Sequence, residues 1–149
     1  METEQIHATC IAIEGIGVLL LGEAGVGKSD LALRLIDEGA KLVADDRVEL
    51  SGNDGCLRAS APKALLGKLE VRGVGVAPLD SQNTTRSAVV RITLDLVARD
   101  AVERMPEPQT KTWVGVAVPL FRLNPFEAST PAKVRLLADG ARRGILPLP

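Results

Sequence analysis

The sequence predicts an α/β fold on three observations. Short aliphatic runs at Thr9–Ile13 and Gly17–Leu21 have the length and β-branched content of strands. A glycine-rich segment, Gly22–Gly27, follows the second run and leads into a stretch where Leu31, Leu33, Leu35 and Ile36 mix with charged residues, as in an amphipathic helix. Lys41–Ala44 then returns as an aliphatic run, so the order is strand, glycine loop, helix, strand, a βαβ unit.

Each element has its own signal. Glu14-Gly15-Ile16-Gly17 marks a tight turn between the first two strands, and the run after it is apolar throughout, as expected of a strand covered on both faces. The helix closes at Gly39, a C-terminal glycine. Arg47–Leu50 continues extended into the turn Ser51-Gly52-Asn53-Asp54-Gly55. Pro62–Lys68 is a short helix candidate, Leu69–Ala77 is extended although it carries Gly73 and Gly75, and Pro78–Arg86 is a polar, exposed loop. Ala88–Val97 alternates as a strand, Glu103–Thr112 with Pro106 and Pro108 is a second loop, and Trp113–Leu120 is a further strand. Thr130-Pro131 opens a terminal helix over Ala132–Arg143, with Pro in its first turn and Gly144 past its end.

The length, 149 residues, is that of one domain over 1–149, and 46% hydrophobic with 25% charged residues is ordinary globular usage, enough for a buried core. Eighteen Lys plus Arg against nineteen Asp plus Glu leave a net charge of −1, and only two Phe, one Trp and no Tyr are available for stacking. Both facts argue against a general nucleic-acid binder. Cys10 and Cys56 stand far apart with no Cys-x-x-Cys or Cys/His cluster, which argues against a zinc site or a disulfide framework and for a reducing compartment. The short acidic start, Met1–Gln5, and apolar runs no longer than Val18–Leu21 point to a soluble, cytoplasmic protein with no membrane partner.

The chemistry is carried by Gly22-Glu23-Ala24-Gly25-Val26-Gly27-Lys28-Ser29, a full G-x-x-x-x-G-K-[ST] string after a buried strand and before a helix. Glycines let the backbone wrap an anion, consecutive N–H groups point inward, and the helix N-terminus adds partial positive charge. Lys28 is placed to reach the β- and γ-phosphates of a nucleotide, and the Ser29 hydroxyl to ligate Mg²⁺. A magnesium–nucleotide site needs a nearby carboxylate, and Asp45-Asp46 at the end of the Lys41–Ala44 strand supplies two. Successive residues face opposite ways, so one acid can serve the metal and the other an acceptor hydroxyl, which suggests phosphoryl transfer with a general base. His7, the single histidine, precedes the first strand and by itself fits a surface role as well as a catalytic one. Glu70 and Arg72 alternate with aliphatic residues as on an edge strand, while Gly73 and Gly75 imply close approach by a ligand or partner chain.

Ile6-His7-Ala8, the loop through Asp30, Leu42–Val48 and Leu69-Glu70-Val71-Arg72-Gly73-Val74-Gly75, in this order, resemble the catalytic domain of HPr kinase/phosphorylase, closely over residues 6–76. The resemblance implies a P-loop nucleotide-binding fold similar to the phosphoenolpyruvate carboxykinase core, a mixed β-sheet with flanking helices. It implies ATP-dependent phosphorylation of a serine on HPr, the small phosphocarrier of the sugar phosphotransferase system, reversed by phosphorolysis to pyrophosphate, in a homo-oligomer that is a hexamer in the family. By the same resemblance Gly22 to Ser29 bind ATP, Ser29 and Glu70 hold Mg²⁺ with Asp45 in support, and Asp46 is both base and returning acid. His7 then lies near the phosphates, Arg72 organises the site or a subunit contact, and Arg104 in Glu103-Arg104-Met105-Pro106 stands for a catalytic arginine of a downstream loop. Full-length members carry a further N-terminal domain, so a chain whose match begins at His7 resembles the short proteobacterial form. Leu79–Arg86 replaces a glycine-rich stretch of the family, which bears on acceptor docking and on phosphorolysis.

Two other functions use the same loop. A small-molecule kinase would close Arg86, Arg99 and Arg104 over its acceptor as a basic lid, and a regulatory module would hold ATP without transferring phosphate. The chain has no Asn-Lys-x-Asp string, which argues against a guanine-reading switch.

Overall fold

Turns of two left-handed residues organise the sheet. Glu14-Gly15 (φ 47° and 83°), Asp54-Gly55 (51° and 77°) and Val114-Gly115 (44° and 80°) each join antiparallel neighbours. Positive φ at both central positions matches the right-handed twist of the flanking strands. The hairpins are β2 (Thr9–Ile13) with β3 (Ile16–Leu21), β5 (Arg47–Asn53) with β6 (Cys56–Ser60), and β10 (Gln109–Trp113) with β11 (Val116–Leu123). The computed structural model describes residues 2–146. Its other elements are β1 (Glu2–His7), α1 (Lys28–Asp37), β4 (Lys41–Ala44), β7 (Lys68–Val71), β8 (Gly75–Pro78), β9 (Ser87–Leu96) and α2 (Thr130–Arg143), with single 3₁₀ turns at Lys63–Leu65 and Arg99–Ala101.

The main sheet is mixed, in the order β1-β5-β6-β9-β3-β2-β4, with β11 also against β9 and β10 outside it. It forks at β9. One side of β9 runs parallel to β3, while the other pairs first with β6, from Ser60↔Ser87 to Arg58↔Val89, and then with β11, from Leu120↔Thr93 to Leu123↔Leu96. β2 is antiparallel to both β3 and β4, so the βαβ crossover is real but holds one strand between its ends. β11, β9, β3 and β4 therefore run the same way, and their carboxyl ends share one edge. Ligands of α/β sheets bind outside that edge.

Alternation along β3 divides the core. Val18 and Leu20 join Ile11, Leu31, Leu35, Leu42, Leu69, Leu94, Val134 and Leu137 under the helices. Leu19 joins Cys10, Val43, Leu50, Leu57, Val90, Trp113 and Val118 in the second cluster, so β3 is covered on both faces as its apolar run requires. Trp113 is core, its indole N–H donating to Thr93 Oγ1 at 3.2 Å. Burial pushes the Cys10 thiol up to about 12, whereas Cys56 is exposed at the start of β6.

Gly17 lies where β3 and β9 meet: a Cβ there would stand 2.7 Å from the Val89 carbonyl oxygen and 3.1 Å from Val90 Cα. Backbone on the central strand has nowhere to go. Gly17→Ala is expected to cost about 1–3 kcal/mol of stability, read as a lowered denaturant midpoint at unchanged slope.

Several sequence expectations shift. Glu2–His7 forms an edge strand registered from Glu2↔Gly52 to His7↔Arg47, invisible to hydrophobic patterning because it is almost wholly exposed. Ser51–Gly55 is the end of β5 plus a two-residue turn rather than one loop, and β6 follows it. Pro62–Lys68 shrinks to the turn Lys63–Leu65, ended by left-handed Gly67. Leu69–Ala77 folds back on itself as the β7–β8 hairpin through Arg72-Gly73-Val74. The expected loop at Glu103–Thr112 and strand at Trp113–Leu120 resolve into β10, the turn and β11. Val114 is the reason: a β-branched residue in the left-handed region is no turn signal, and it is set here against Gly52, whose Cβ would meet the Val114 oxygen at 2.4 Å.

Candidate functional site

At the carboxyl end of β3 the chain wraps into a loop that glycine alone permits. Gly22 has φ 149° and a Cβ there would meet Val26 Cγ1 at 2.6 Å; Gly27 has φ 115° and its Cβ would meet the Phe126 ring at 2.8 Å. α1 starts directly after, with the Leu31 N–H donating to the Gly27 carbonyl at 2.9 Å. The orphan N–H groups of its first turn thus face the loop, a ready anion site. Lys28 folds across it, its Nζ donating to the carbonyls of Gly22 at 2.6 Å and Glu23 at 3.0 Å. Burial lowers the Lys28 pKa, and the charges of Asp45 and Asp46 oppose that shift.

The acidic pair divides. Asp45 is buried and accepts from three directions: Thr9 Oγ1 on β2 at 2.8 Å, Ser29 Oγ on α1 at 2.9 Å, and the Glu70 backbone N–H on β7 at 2.9 Å. One carboxylate ties the start of α1 to two strands. Because Ser29 spends its proton on Asp45, its lone pairs are left for a cation. Thr9 has no sequence signal, being one threonine in a strand. Thr9→Val is expected to cost about 1.5–3 kcal/mol through the lost bond to a charged acceptor, and Thr9→Ser to restore it, by chemical denaturation.

Asp46 turns outward. Its φ is 69°, and the Arg47 N–H closes on the Asp45 carbonyl at 2.8 Å, a γ-turn around a positive-φ residue. Such a conformation costs of order 1–3 kcal/mol and persists where its surroundings over-determine it. Here the end of β1 and the residue after it supply them: His7 Nε2 lies 2.7 Å from Asp46 Oδ1, and the Ala8 N–H donates to the Asp46 carbonyl at 3.3 Å. Both side chains remain about half exposed, 53% for His7 and 54% for Asp46. The carboxylate is fixed yet half exposed.

Glu70 and Arg72 flank this cluster on β7 and its turn. Glu70 is bound through its main chain, and its carboxylate has no hydrogen bond or ion pair among the described residues. The Arg72 guanidinium reaches the loop, 3.9 Å from where a Cβ on Gly25 would stand. Arg104 is exposed in the segment between Ala101 and Gln109, which leaves β9 and returns to β10 on the loop's edge, but it touches no site residue by hydrogen bond or ion pair. Among the described residues no group of three or more His, Cys, Asp or Glu could hold a metal alone. Mg²⁺ bound through one or two protein groups plus substrate phosphates needs no such group, and Ser29, which shares Asp45 with the Glu70 backbone, fits that pattern. Two clefts, of about 340 Å³ between β6, β9, β11 and the end of α2 and about 480 Å³ along β1 and β5, lie away from the loop.

The model of the HPr serine kinase C-terminal domain matches residues 1–129. The HPr kinase/phosphorylase of Clostridium botulinum (strain Eklund 17B / Type B) is 46% identical over 72 residues, 48% of this chain and 24% of that protein. That of Clostridium novyi is 41% identical over 93 residues, 62% of this chain and 30% of that protein. The chain thus spans less than a third of the length of these curated relatives. The solved structure of the Hpr(Ser) kinase/phosphatase from Coxiella burnetii superposes with a TM-score of 0.84 at 27% identity, covering 95% of this chain and 98% of that one.

Proposed function

The chain belongs to the HPr serine kinase C-terminal domain family, and from that premise we propose that it is an ATP-dependent protein-serine kinase acting on an HPr-type phosphocarrier, with phosphorolysis of the phosphoserine as the reverse reaction. We take residues 1–149 as one catalytic domain. The observation that carries the reading is Asp46, an exposed carboxylate held in a strained backbone beside a phosphate loop. A small metabolite would ask for an enclosing pocket; this carboxylate is about half exposed, within reach of a protein loop.

In the forward direction the serine oxygen bonds to the γ-phosphorus as the bond to the β–γ bridging oxygen breaks, and Asp46 takes the hydroxyl proton. In reverse an inorganic phosphate oxygen attacks the phosphoserine phosphorus, Asp46 returns the proton to the serine, and pyrophosphate leaves. Loop amides and Lys28 hold the phosphates in line. Mg²⁺, when bound, would supply charge neutralisation; Ser29 and Glu70 would hold it, with Asp45 orienting Ser29. His7 orients Asp46 through their hydrogen bond, and Arg72 and Arg104 supply cationic charge to the phosphates. No described helix is long and apolar enough to cross a membrane. A homo-oligomer in the cytoplasm completes the reading.

Transfer of label from γ-³²P ATP to purified HPr tests it, with phosphate added afterwards to look for labelled pyrophosphate. Incorporation at a serine is expected. Label moving only to a metabolite panel, or nucleotide binding with no incorporation, sinks it.

A further inference from the structure

We infer that Phe126 is the platform on which the nucleobase of the bound nucleotide stacks, an inference that rests on the nucleotide reading of the phosphate loop. The argument begins with strand order. Along the carboxyl edge the parallel strands stand as β11, β9, β3 and, beyond β2, β4. The phosphate loop leaves β3, the acids that face the reacting phosphate leave β4, and the segment carrying Phe126 leaves β11 on the far side. A nucleotide gripped at the loop with its terminal phosphate toward Asp46 must extend its nucleoside the other way, toward that segment.

Phe126 is there and free. It is 63% exposed, yet its ring lies against the loop, with Cζ 2.8 Å and Cε1 3.2 Å from where a Cβ on Gly27 would be. Phe121, the other phenylalanine, packs against the core, and Trp113 is buried in the cluster away from the helices. The segment is also braced. The Phe126 N–H donates to Asn124 Oδ1 at 2.9 Å, Asn124 Nδ2 donates to the Val97 carbonyl at 3.0 Å, and Thr130 Oγ1 donates to the Asn124 carbonyl at 2.5 Å. Arg34 on α1 donates to the Pro125 carbonyl, fastening it to the helix that follows the loop. An isolated exposed aromatic needs no explanation. A rigidly presented one, in contact with the phosphate loop on the side the nucleoside must take, is a stacking surface of the sequence-tolerant kind, because every base has a π-face.

The test compares magnesium ATP with magnesium tripolyphosphate, which has the phosphates and no base, by titration calorimetry on the intact chain. Wild type is expected to prefer ATP. Phe126→Ala is expected to weaken ATP about 10-fold or more and leave tripolyphosphate unchanged, with Phe126→Tyr close to wild type. Phe126→Trp adds a second readout: an exposed, red-shifted indole emission, distinct from that of buried Trp113, that is quenched by ATP and not by tripolyphosphate. If the preference for ATP survives in Phe126→Ala, or the new indole ignores ATP, the platform is overturned while the phosphate loop stands. If wild type binds neither compound, the nucleotide reading falls and takes this inference with it.

Discussion

Asp46→Asn is expected to bind ATP within about twofold of wild type and to lose roughly 10²–10⁴ in the rate of phosphate transfer to HPr, the range a positioned general base contributes. The substitution is chosen for its backbone. Asp46 sits at φ 69°, where asparagine is the best tolerated L residue after glycine, so the γ-turn survives. The amide can still bond to His7, so the link of β1 to this turn survives too. What disappears is the negative charge and the site for a proton. Asp46→Ala is a poorer probe, since it adds strain of about 1–2 kcal/mol and releases His7. Thermal melts of the asparagine variant should match wild type, and undiminished HPr phosphorylation in it would remove Asp46 from the chemistry.

The loss should be symmetric. Phosphorolysis needs the proton given back to the serine oxygen, so the same variant should fall comparably when fed phosphoserine HPr and inorganic phosphate. A variant defective in one direction alone would mean that the two reactions use different proton carriers.

Legibility of the site from sequence followed a physical rule. Where function demands a string of residue types in sequence, as in Gly22–Ser29, the motif announced itself, because the backbone that wraps an anion is built from consecutive positions. Where function is assembled through space, the signal was faint or missing. Thr9 looks like any strand threonine, and only the fold reveals that its hydroxyl holds Asp45. Phe126 lies almost a hundred residues from Gly27, and nothing short of the strand order brings them together. The split between Asp45 and Asp46 was foreseeable from strand alternation, yet its agent is the left-handed turn at Asp46 rather than a continuing pleat.

The fold divided along similar lines. Strands buried on both faces, such as β3, betray themselves by composition, as do helices closed by Gly39 and Gly144. β1 is almost wholly exposed, only Ile6 packing against the core, and has no apolar alternation to read. The β10–β11 hairpin hides its turn behind a valine that a tertiary contact with Gly52 holds left-handed.

Lys28→Ala is the second large effect, and it separates grip from stability. The ammonium is tied to two loop carbonyls, and its partial desolvation lowers its pKa despite the charges of Asp45 and Asp46. A base whose folded pKa lies below its unfolded value binds its proton less readily in the native state, so its charge costs folding free energy at neutral pH, and that cost is relieved as pH rises. Removing the lysine should therefore leave the melting temperature near wild type. Nucleotide affinity should fall roughly 10- to 150-fold, the equivalent of losing a charge-assisted hydrogen bond to phosphate, with transfer to HPr undetectable. Lys28→Arg should not rescue it, since a planar five-donor fork cannot replace a point charge seated between the Gly22 and Glu23 carbonyls. In wild type the same lowered pKa predicts that affinity for tripolyphosphate declines with rising pH earlier than an ordinary lysine would allow. Calorimetry across that range, set against the alanine variant as the baseline that carries the ligand's own ionisation, decides whether this ammonium holds the phosphates or only closes the loop.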